Sequence, residues 1–190
     1  MRNTVKYLIF LIIYLACGGN LQAQNYTFRN VVMSDGLSGL LVNTIYKDSE
    51  GFVWLGTDNC LDRFDGVKVR HFEFRGIESG RKKRVNSVTE TASKQLWVGN
   101  GIGLWRLNRT NSQLERIVPE KIDFAVNTLL ANEDVLYIGT EKGLFIHKDG
   151  QLLQVLTDRN MLAACNRIMD ICLNEDKTVL WLATVQGLFS

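Results

Sequence analysis

A repeat of 40 to 44 residues constrains the fold of this chain more than any other feature of its sequence. The four aligned segments are VWLGTDNCLDRF at 53–64, LWVGNGIGLWRL at 96–107, LYIGTEKGLFIH at 136–147 and LWLATVQGLFS at 180–190. Each has an aromatic anchor at its second position, and these anchors are Trp54, Trp97, Tyr137 and Trp181. Self-similarity at a fixed period is the signature of stacked structural units. The chain is therefore predicted to contain about four units of one kind.

Further columns of the repeat follow each anchor. They are Gly56, Gly99, Gly139 and Ala183 two residues on; Cys60, Gly103, Gly143 and Gly187 six residues on; Leu61, Leu104, Leu144 and Leu188 next; and Asp62, Trp105, Phe145 and Phe189 after those. We expect the first glycine to let a neighbouring unit approach closely and the second to take a positive φ. Cys60 breaks the second pattern. Either Asn59 takes the left-handed position there, or Cys60 is strained by about 1 kcal/mol.

Each unit is predicted to be a four-stranded antiparallel meander. A β-prone stretch lies upstream of each anchor, at 42–46, 85–88, 126–130 and 167–172. A polar turn, the anchor strand, a tight link and a third strand follow it. Asp65-Gly66 and Asp149-Gly150 then predict hairpin turns that lead into a fourth strand.

The anchor strands indicate how these sheets pack. Residues 52–56 and 136–139 are apolar at successive positions, which is typical of strands covered on both faces. Sheets stacked radially meet that requirement, and repeats of this length are typical of β-propellers. A solenoid β-helix is a weaker alternative because its turns are shorter. The prediction is an all-β fold: a partial β-propeller of about four blades over 36–190, the last incomplete, with each anchor buried between neighbouring blades.

The first unit resembles the two-component regulator propeller repeats. The resemblance lies in DGLS at 35–38, VNTI at 42–45, DSEGFVWLGTD at 48–58 and LDRFDG at 61–66. The other units match more loosely: Ala183 replaces a glycine, and units two to four lack the D-x-x-G turn. Cys60 is a departure within unit one. The WD dipeptide, the double glycines of kelch repeats and the tryptophan-docking motif of quinoprotein blades are missing.

That resemblance implies the periplasmic sensor region of a hybrid two-component receptor. In such receptors two seven-bladed propellers precede a β-sandwich, a membrane helix, a histidine kinase and often further modules, and many respond to oligosaccharides. This chain is accordingly expected to be an N-terminal fragment or a truncated gene product, without enzymatic activity of its own. Its expected partners are an oligosaccharide and further copies in the intact receptor, with membrane contact only through C-terminal parts. A net charge of +2 argues against nucleic-acid binding.

The N-terminus is predicted to direct export to the periplasm. Residues 1–23 combine basic Arg2 and Lys6 with an apolar run at 7–17 too short to span a bilayer, which is typical of a signal peptide cleaved after Ala23. A lipoprotein cut before Cys17 is the alternative. Segment 24–35 is predicted to supply, at 26–31, the outer strand of the last blade of the ring, a blade absent from this chain.

No catalytic residue, metal site or cofactor is predicted. His71 and His147 lack metal-ligand spacing and a neighbouring nucleophile motif. Cys60, Cys165 and Cys172 are expected to be buried free thiols in strands. A Cys165–Cys172 bridge is a minor alternative that needs an intervening turn.

The ligand-binding residues stay unassigned, although the links between second and third strands offer polar candidates. These are Asp58, Asn59, Asn100, Glu141, Lys142 and Gln186. The basic run at 81–84 is interpreted as a solvated loop, with contact to an anionic sugar or another subunit as the second interpretation. A secreted propeller enzyme, a lyase or glycosidase, would need convergent carboxylates, a Tyr–His pair or a metal set. A protein-interaction scaffold is a further alternative.

Overall fold

The computed structural model describes residues 6–7, 28–77, 83–117, 121–155 and 167–190. The chain divides into two units, Met1–Asn30 and Val31–Ser190, and every described strand belongs to the second. Almost all of the predicted signal peptide lies outside the described residues, so its cleavage stays a prediction. Among the residues that are described, no helix has the length and apolar character needed to cross a membrane.

The second unit is built from antiparallel sheets that follow one another along the chain. Three sheets have four strands and the last described sheet has three, each in meander order. We call them blades one to four. Their strands are β1 Val42–Lys47, β2 Val53–Thr57, β3 Leu61–Phe64 and β4 Val69–Phe72; β5 Val85–Glu90, β6 Leu96–Asn100, β7 Gly103–Asn108 and β8 Gln113–Ile117; β9 Val126–Asn132, β10 Val135–Thr140, β11 Gly143–Lys148 and β12 Gln151–Gln154; and β13 Ile168–Leu173, β14 Leu180–Thr184 and β15 Gly187–Phe189. The predicted all-β architecture is confirmed.

The first strands bring the blades together. β1 contacts β5, β5 contacts β9, and β9 contacts β13, so the innermost strand of each blade adjoins that of the next. Each blade has two ends: the link end carries the connection between its second and third strands, and the turn end carries the two hairpin turns. Every first strand has a bulge near its start, as between Val42 and Thr44 in β1.

The anchor strands face a neighbour on both sides. In β6, Leu96 and Val98 pack with Trp54 in the core between blades one and two. Trp97, which points the other way, packs with Leu136 in the core between blades two and three. Successive apolar positions in such a strand therefore serve two different cores, as the sequence pattern predicted.

The four anchors occupy the same position in the second strand of each blade, but their burial differs. Trp54 and Trp97 are 1% and 4% exposed, whereas Tyr137 is half-buried and Trp181 is 39% exposed. Trp54, Trp97 and Tyr137 each face the blade that follows. Full burial, as predicted, is therefore not found for Trp181, because no further sheet among the described residues lies against that face of blade four. For Tyr137, which meets the three-stranded sheet, burial is incomplete.

Both predicted roles of the glycines are confirmed where glycine is present. A Cβ on Gly99 would lie 2.5 Å from Val126 Cγ1, and one on Gly139 would lie 2.7 Å from Ile168 Cγ2, so the next blade occupies the space of a side chain. Gly103, Gly143 and Gly187 have φ values of 151°, 114° and 129°. These angles lie in the region that other residues rarely adopt.

The link between β2 and β3 in blade one makes the same turn without a residue of positive φ. Neither Asn59 nor Cys60 has one, so both alternatives predicted from the sequence are wrong. The Thr57 hydroxyl accepts hydrogen bonds from the amides of Asn59 and Cys60, each at 3.1 Å, and donates to the carbonyl of Cys60 at 3.0 Å. These bonds close the link with both residues in ordinary backbone conformations.

The segment before blade one contains a short 3-10 helix, Met33–Asp35, which ends at Gly36 with a φ of 104°. Residues 28–32 form no strand, and 24–27 lie outside the described residues. The predicted ring-closing strand at 26–31 would pair with a blade that is not in this chain. That pairing therefore stays a prediction.

Candidate functional site

The polar link residues divide into two groups. Asp58, Asn59, Glu141, Lys142 and Gln186 are exposed at the link ends of their blades, where a ligand could reach them. Asn100 is fully buried: its Oδ1 accepts hydrogen bonds from the Ile102 amide and from Trp105 Nε1, at 3.0 and 3.1 Å. Asn100 therefore shapes the link of blade two and is removed from the ligand-facing candidates.

A cluster of chemically reactive side chains lies at the link end of blade one. Antiparallel pairing places His71 of β4 directly opposite Asp62 of β3, and their side chains meet with Nδ1 2.7 Å from Oδ1. Cys60, the residue before β3, directs its thiol to the same Oδ1 at 3.3 Å. Ser38, from the segment that enters the blade, bonds Oδ2 through both its amide and its hydroxyl at 2.8 Å.

The Asp62 carboxylate is therefore the centre of this cluster. It is 0% exposed, and each of its oxygens accepts two hydrogen bonds. A carboxylate can be buried only when such partners replace water. Burial raises the pKa of the Cys60 thiol to about 12, and the nearby Asp62 charge acts in the same direction. Cys60 is accordingly a thiol rather than a ready nucleophile.

A cleft of about 390 Å³ opens beside this cluster. Its lining includes Asn59 and Glu73, and Lys83 from the connection to blade two. Of the basic run at 81–84, residues 81–82 lie outside the described residues, and Arg84 is exposed, as a solvated loop predicts.

A second cleft, of about 410 Å³, lies at the link end of blade three. Lys121 and Lys142 line it together with Phe145 and Gln154. The Lys142 ammonium stands 4.2 Å from the centre of the Phe124 ring, so one cation is held by a cation–π contact. Two cations beside buried aromatic rings suit an anionic, partly apolar ligand.

The other sequence candidates have varied surroundings. His147 packs against the Trp97 ring at 4.8 Å, and its burial, with the positive charge of Arg106, lowers its pKa. Cys172 lies in β13 as expected but is exposed, so its predicted burial is wrong. None of the described sheets covers the outward face of blade four. Cys165 lies outside the described residues.

Sequence reasoning did not find the Cys60–Asp62–His71 cluster. The three residues share no recognised metal or catalytic spacing, and the proximity of His71 depends on the register between β3 and β4. One signal was available: Cys60 and Asp62 both depart from their repeat columns, and they do so in the same unit.

Comparison with known proteins agrees with the repeat. Residues 36–59 match the family described as "Two component regulator propeller". Over 66 residues the chain is 36% identical to "Histidine kinase P4" of Formosa agariphila. The aligned segment covers 35% of this chain and 5% of that protein.

Solved structures with a similar fold include the extracellular domain of a putative hybrid two-component system from B. thetaiotaomicron. Its TM-score is 0.72 at 21% identity, over 88% of this chain and 23% of that one. A virginiamycin B lyase from Staphylococcus aureus has a TM-score of 0.60 at 13% identity, over 79% of this chain and 53% of that one. At such identities these likenesses concern the fold. The chain thus folds as part of a β-propeller, and its residues 36–59 match the two-component regulator propeller family.

Proposed function

We propose that this chain is part of the periplasmic ligand-sensing region of a hybrid two-component receptor. The observation that carries the proposal is the match of residues 36–59 to the regulator propeller family, which spans the first two strands of an intact four-stranded blade. The likeness to the extracellular domain of a putative hybrid two-component system supports it. The chain spans 23% of that extracellular domain and 5% of the histidine kinase. We therefore propose the activity of the whole receptor together with this sensor role.

In this proposal the chain itself is a binding module rather than an enzyme. It is exported, self-associates within the intact receptor, and reaches the membrane only through other parts of that receptor. A signal would pass through the propeller as a change in how blades or copies pack, with kinase activity located elsewhere. Nucleic acid is not a partner of this region, whose net charge is only +2.

An oligosaccharide is the ligand class that the proposal assigns. The cleft on blade three offers Lys121, Lys142 and the Gln154 amide, which together suit a sugar chain carrying carboxylate or sulfate groups. Polar groups that converge beside apolar side chains are typical of small-ligand sites. An acidic oligosaccharide is therefore expected to bind better than a neutral one of equal length.

Calorimetric titration of the purified chain with matched acidic and neutral oligosaccharides tests the ligand class. We expect binding of an acidic oligosaccharide, weakened by salt and by a Lys121→Gln, Lys142→Gln double substitution. Lys148→Gln, on an exposed residue of β11 that does not line the cleft, is the matched control and should bind normally. Absence of binding to every oligosaccharide, or equal binding by the double variant, would contradict this assignment.

The receptor assignment has its own test. The reading frame that encodes this chain should continue into further repeats, a membrane-spanning helix and a histidine kinase. A full-length receptor should then phosphorylate itself in response to the ligand. A frame that leads instead into a catalytic domain for sugar cleavage would favour the secreted-enzyme alternative, and release of cleaved products by the purified protein would decide it.

A further inference from the structure

The ligand-type atoms of Cys60, Asp62 and His71 all lie within 4.8 Å of one another. They offer a sulfur, an oxygen and a nitrogen, which are the three donor types that Zn²⁺ takes in proteins. Thiolate and imidazole ligands disfavour Mg²⁺ and Ca²⁺, which prefer oxygen alone. We propose that Cys60, Asp62 and His71 form a zinc site with three protein ligands and a fourth coordination position open to the adjoining cleft.

The repeat itself shows that the fold does not require these residues. Asp62 stands in the column occupied by Trp105 and Phe145, both of which are buried in the cores between blades. Cys60 stands where the other units have glycine. Blade one alone places a carboxylate and a thiol in these columns, and the two changes meet at one point.

The paired strand departs from the other blades in the same way. The residue opposite Asp62 is His71, whereas Arg116 lies opposite Trp105 in blade two and Gln154 lies opposite Phe145 in blade three. Among blades one to three, blade one is therefore the one in which both residues of this cross-strand pair have side chains that commonly bind metals. Three independent columns change together toward donor atoms, which a purely structural buried carboxylate would not need.

The hydrogen bonds around Asp62 define where an ion would sit. The Cys60 thiol and His71 Nδ1 both point at Oδ1, while the amide and hydroxyl of Ser38 hold Oδ2 from behind. An ion would take the place of the two protons between Oδ1 and its partners. Cys60 would release its proton to solvent, and a neutral His71 would bind through Nδ1 with its proton on Nε2. Ser38 would be a positioning residue that orients the carboxylate.

The open position follows from the cleft. The His71 side chain is 46% exposed, and the cleft of about 390 Å³ brings Asn59 and Glu73 to the same mouth. A tetrahedral ion with three protein ligands keeps one site for water or for a donor atom of a bound molecule. The zinc site would thus face solvent at the link end of blade one.

Metal titration of the full chain, stripped with a chelator, tests this inference independently of the proposed oligosaccharide binding. We expect one Zn²⁺ per chain by calorimetry, no competition by Mg²⁺ or Ca²⁺, and about one proton released per ion. Co²⁺ should give the visible bands of a tetrahedral site and a sulfur-to-cobalt charge-transfer band. Absence of stoichiometric binding, or a cobalt spectrum without sulfur ligation, would overturn the site.

Conservative variants separate ligation from folding. Cys60→Ser keeps a donor to Asp62 but removes the thiolate, and His71→Gln keeps an amide donor but removes the imidazole; both should lose zinc and retain the circular dichroism of the wild type. Ser38→Ala should weaken zinc binding by about 10- to 100-fold. Cys172→Ser and His147→Gln are the matched controls and should bind zinc normally. Unchanged affinity in the folded Cys60 and His71 variants would contradict the proposal.

Discussion

The D-x-x-G turn of blade one has a specific task at the level of single residues. Asp48 Oδ1 accepts hydrogen bonds from the amides of Glu50 and Phe52, and its Oδ2 accepts one from the indole Nε1 of Trp54 at 2.8 Å. One carboxylate thus closes the turn and fixes the anchor. In blade two the corresponding residue is Thr91, and Trp97 Nε1 is buried without an acceptor among the described residues. An unpaired buried donor costs about 1–3 kcal/mol.

Thr91→Asp should therefore stabilise the protein by about 1 kcal/mol, because the carboxylate can accept the Trp97 indole proton. Urea-induced unfolding measures the gain. A Trp97→Phe background, which has no indole N–H, is the control and should abolish most of the benefit. An equal gain in both backgrounds would show that the new carboxylate acts on the turn alone.

Anchor burial predicts a graded response to truncation. Trp97→Ala should reduce the free energy of unfolding by about 3–5 kcal/mol, as for other large buried side chains. Trp181→Ala should cost far less, because Trp181 is 39% exposed in the described structure. Equal losses, measured by chemical denaturation of the same chain, would mean that another surface covers Trp181 in solution.

At the scale of single elements, one side-chain hydrogen bond recurs between the first strands of neighbouring blades. Asn86, at the bulge of β5, donates through Nδ2 to the carbonyl of Val126 in β9 at 2.8 Å, and Asn127 does the same to Ile168 in β13. The side-chain oxygen of Ser87 also accepts the Leu129 amide. The bulges of β5 and β9 therefore each present an asparagine that latches one blade to the next at the link end.

Removal of a latch should loosen one blade interface. Asn86→Ala should destabilise the protein by about 1–2 kcal/mol, because the Val126 carbonyl loses its partner. Asn43 occupies the same place in β1, but its Nδ2 has no acceptor among the described residues, so Asn43→Ala is the matched control with a smaller effect. Thermal denaturation compares the two, and a larger loss for Asn43→Ala would refute the latch.

The packing of His147 against Trp97 should make stability depend on pH. Burial, together with Arg106, lowers the pKa of His147 in the folded protein below its ordinary value of 6.5. Below about pH 6.5 the unfolded chain then binds more protons at this residue than the folded chain. The free energy of unfolding should consequently fall as the pH drops from 6.5 toward 5.

His147→Gln tests this dependence, because it removes the titrating group while keeping a polar side chain beside Trp97. Denaturation midpoints from pH 5 to pH 8 should show a shallower decline in the variant than in the wild type. Identical profiles would show that His147 contributes nothing to the acid sensitivity of the protein.

At the scale of the whole molecule, the outer faces of the first and last described blades remain uncovered. Ile45 of β1 is 70% exposed and Leu188 of β15 is 66% exposed. Trp181 and Val185, close to Leu188 in the sequence, are also exposed. Apolar groups that line the cores elsewhere in the repeat here face solvent. Such faces and open sheet edges favour association.

The isolated chain should therefore be marginally stable and should self-associate. Sedimentation velocity should show an average mass that rises with protein concentration, and Leu188→Lys should reduce that rise. Lys148→Gln is a suitable surface control. A concentration-independent monomer that unfolds cooperatively at high temperature would contradict this expectation and the sequence-based prediction from which it comes.

The repeat of 40 to 44 residues and its aligned columns were sufficient to predict the sheets, their meander order and the two roles of glycine. These depend on local chemistry: runs of apolar residues, turn residues and the absence of a Cβ at Gly99 or Gly103. The resemblance in 36–59 likewise needed only contiguous residues.

Contacts between distant residues required the folded chain. Trp181 shares its column with Trp54 and yet is exposed, because burial depends on whether a neighbouring sheet is present. Asn100 resembles a ligand-facing turn residue until its own link encloses it. The meeting of Cys60, Asp62 and His71 depends on strand register, and Ser38 reaches them from 24 residues away. Sequence columns record which residue stands where, whereas packing between strands and blades decides which atoms meet.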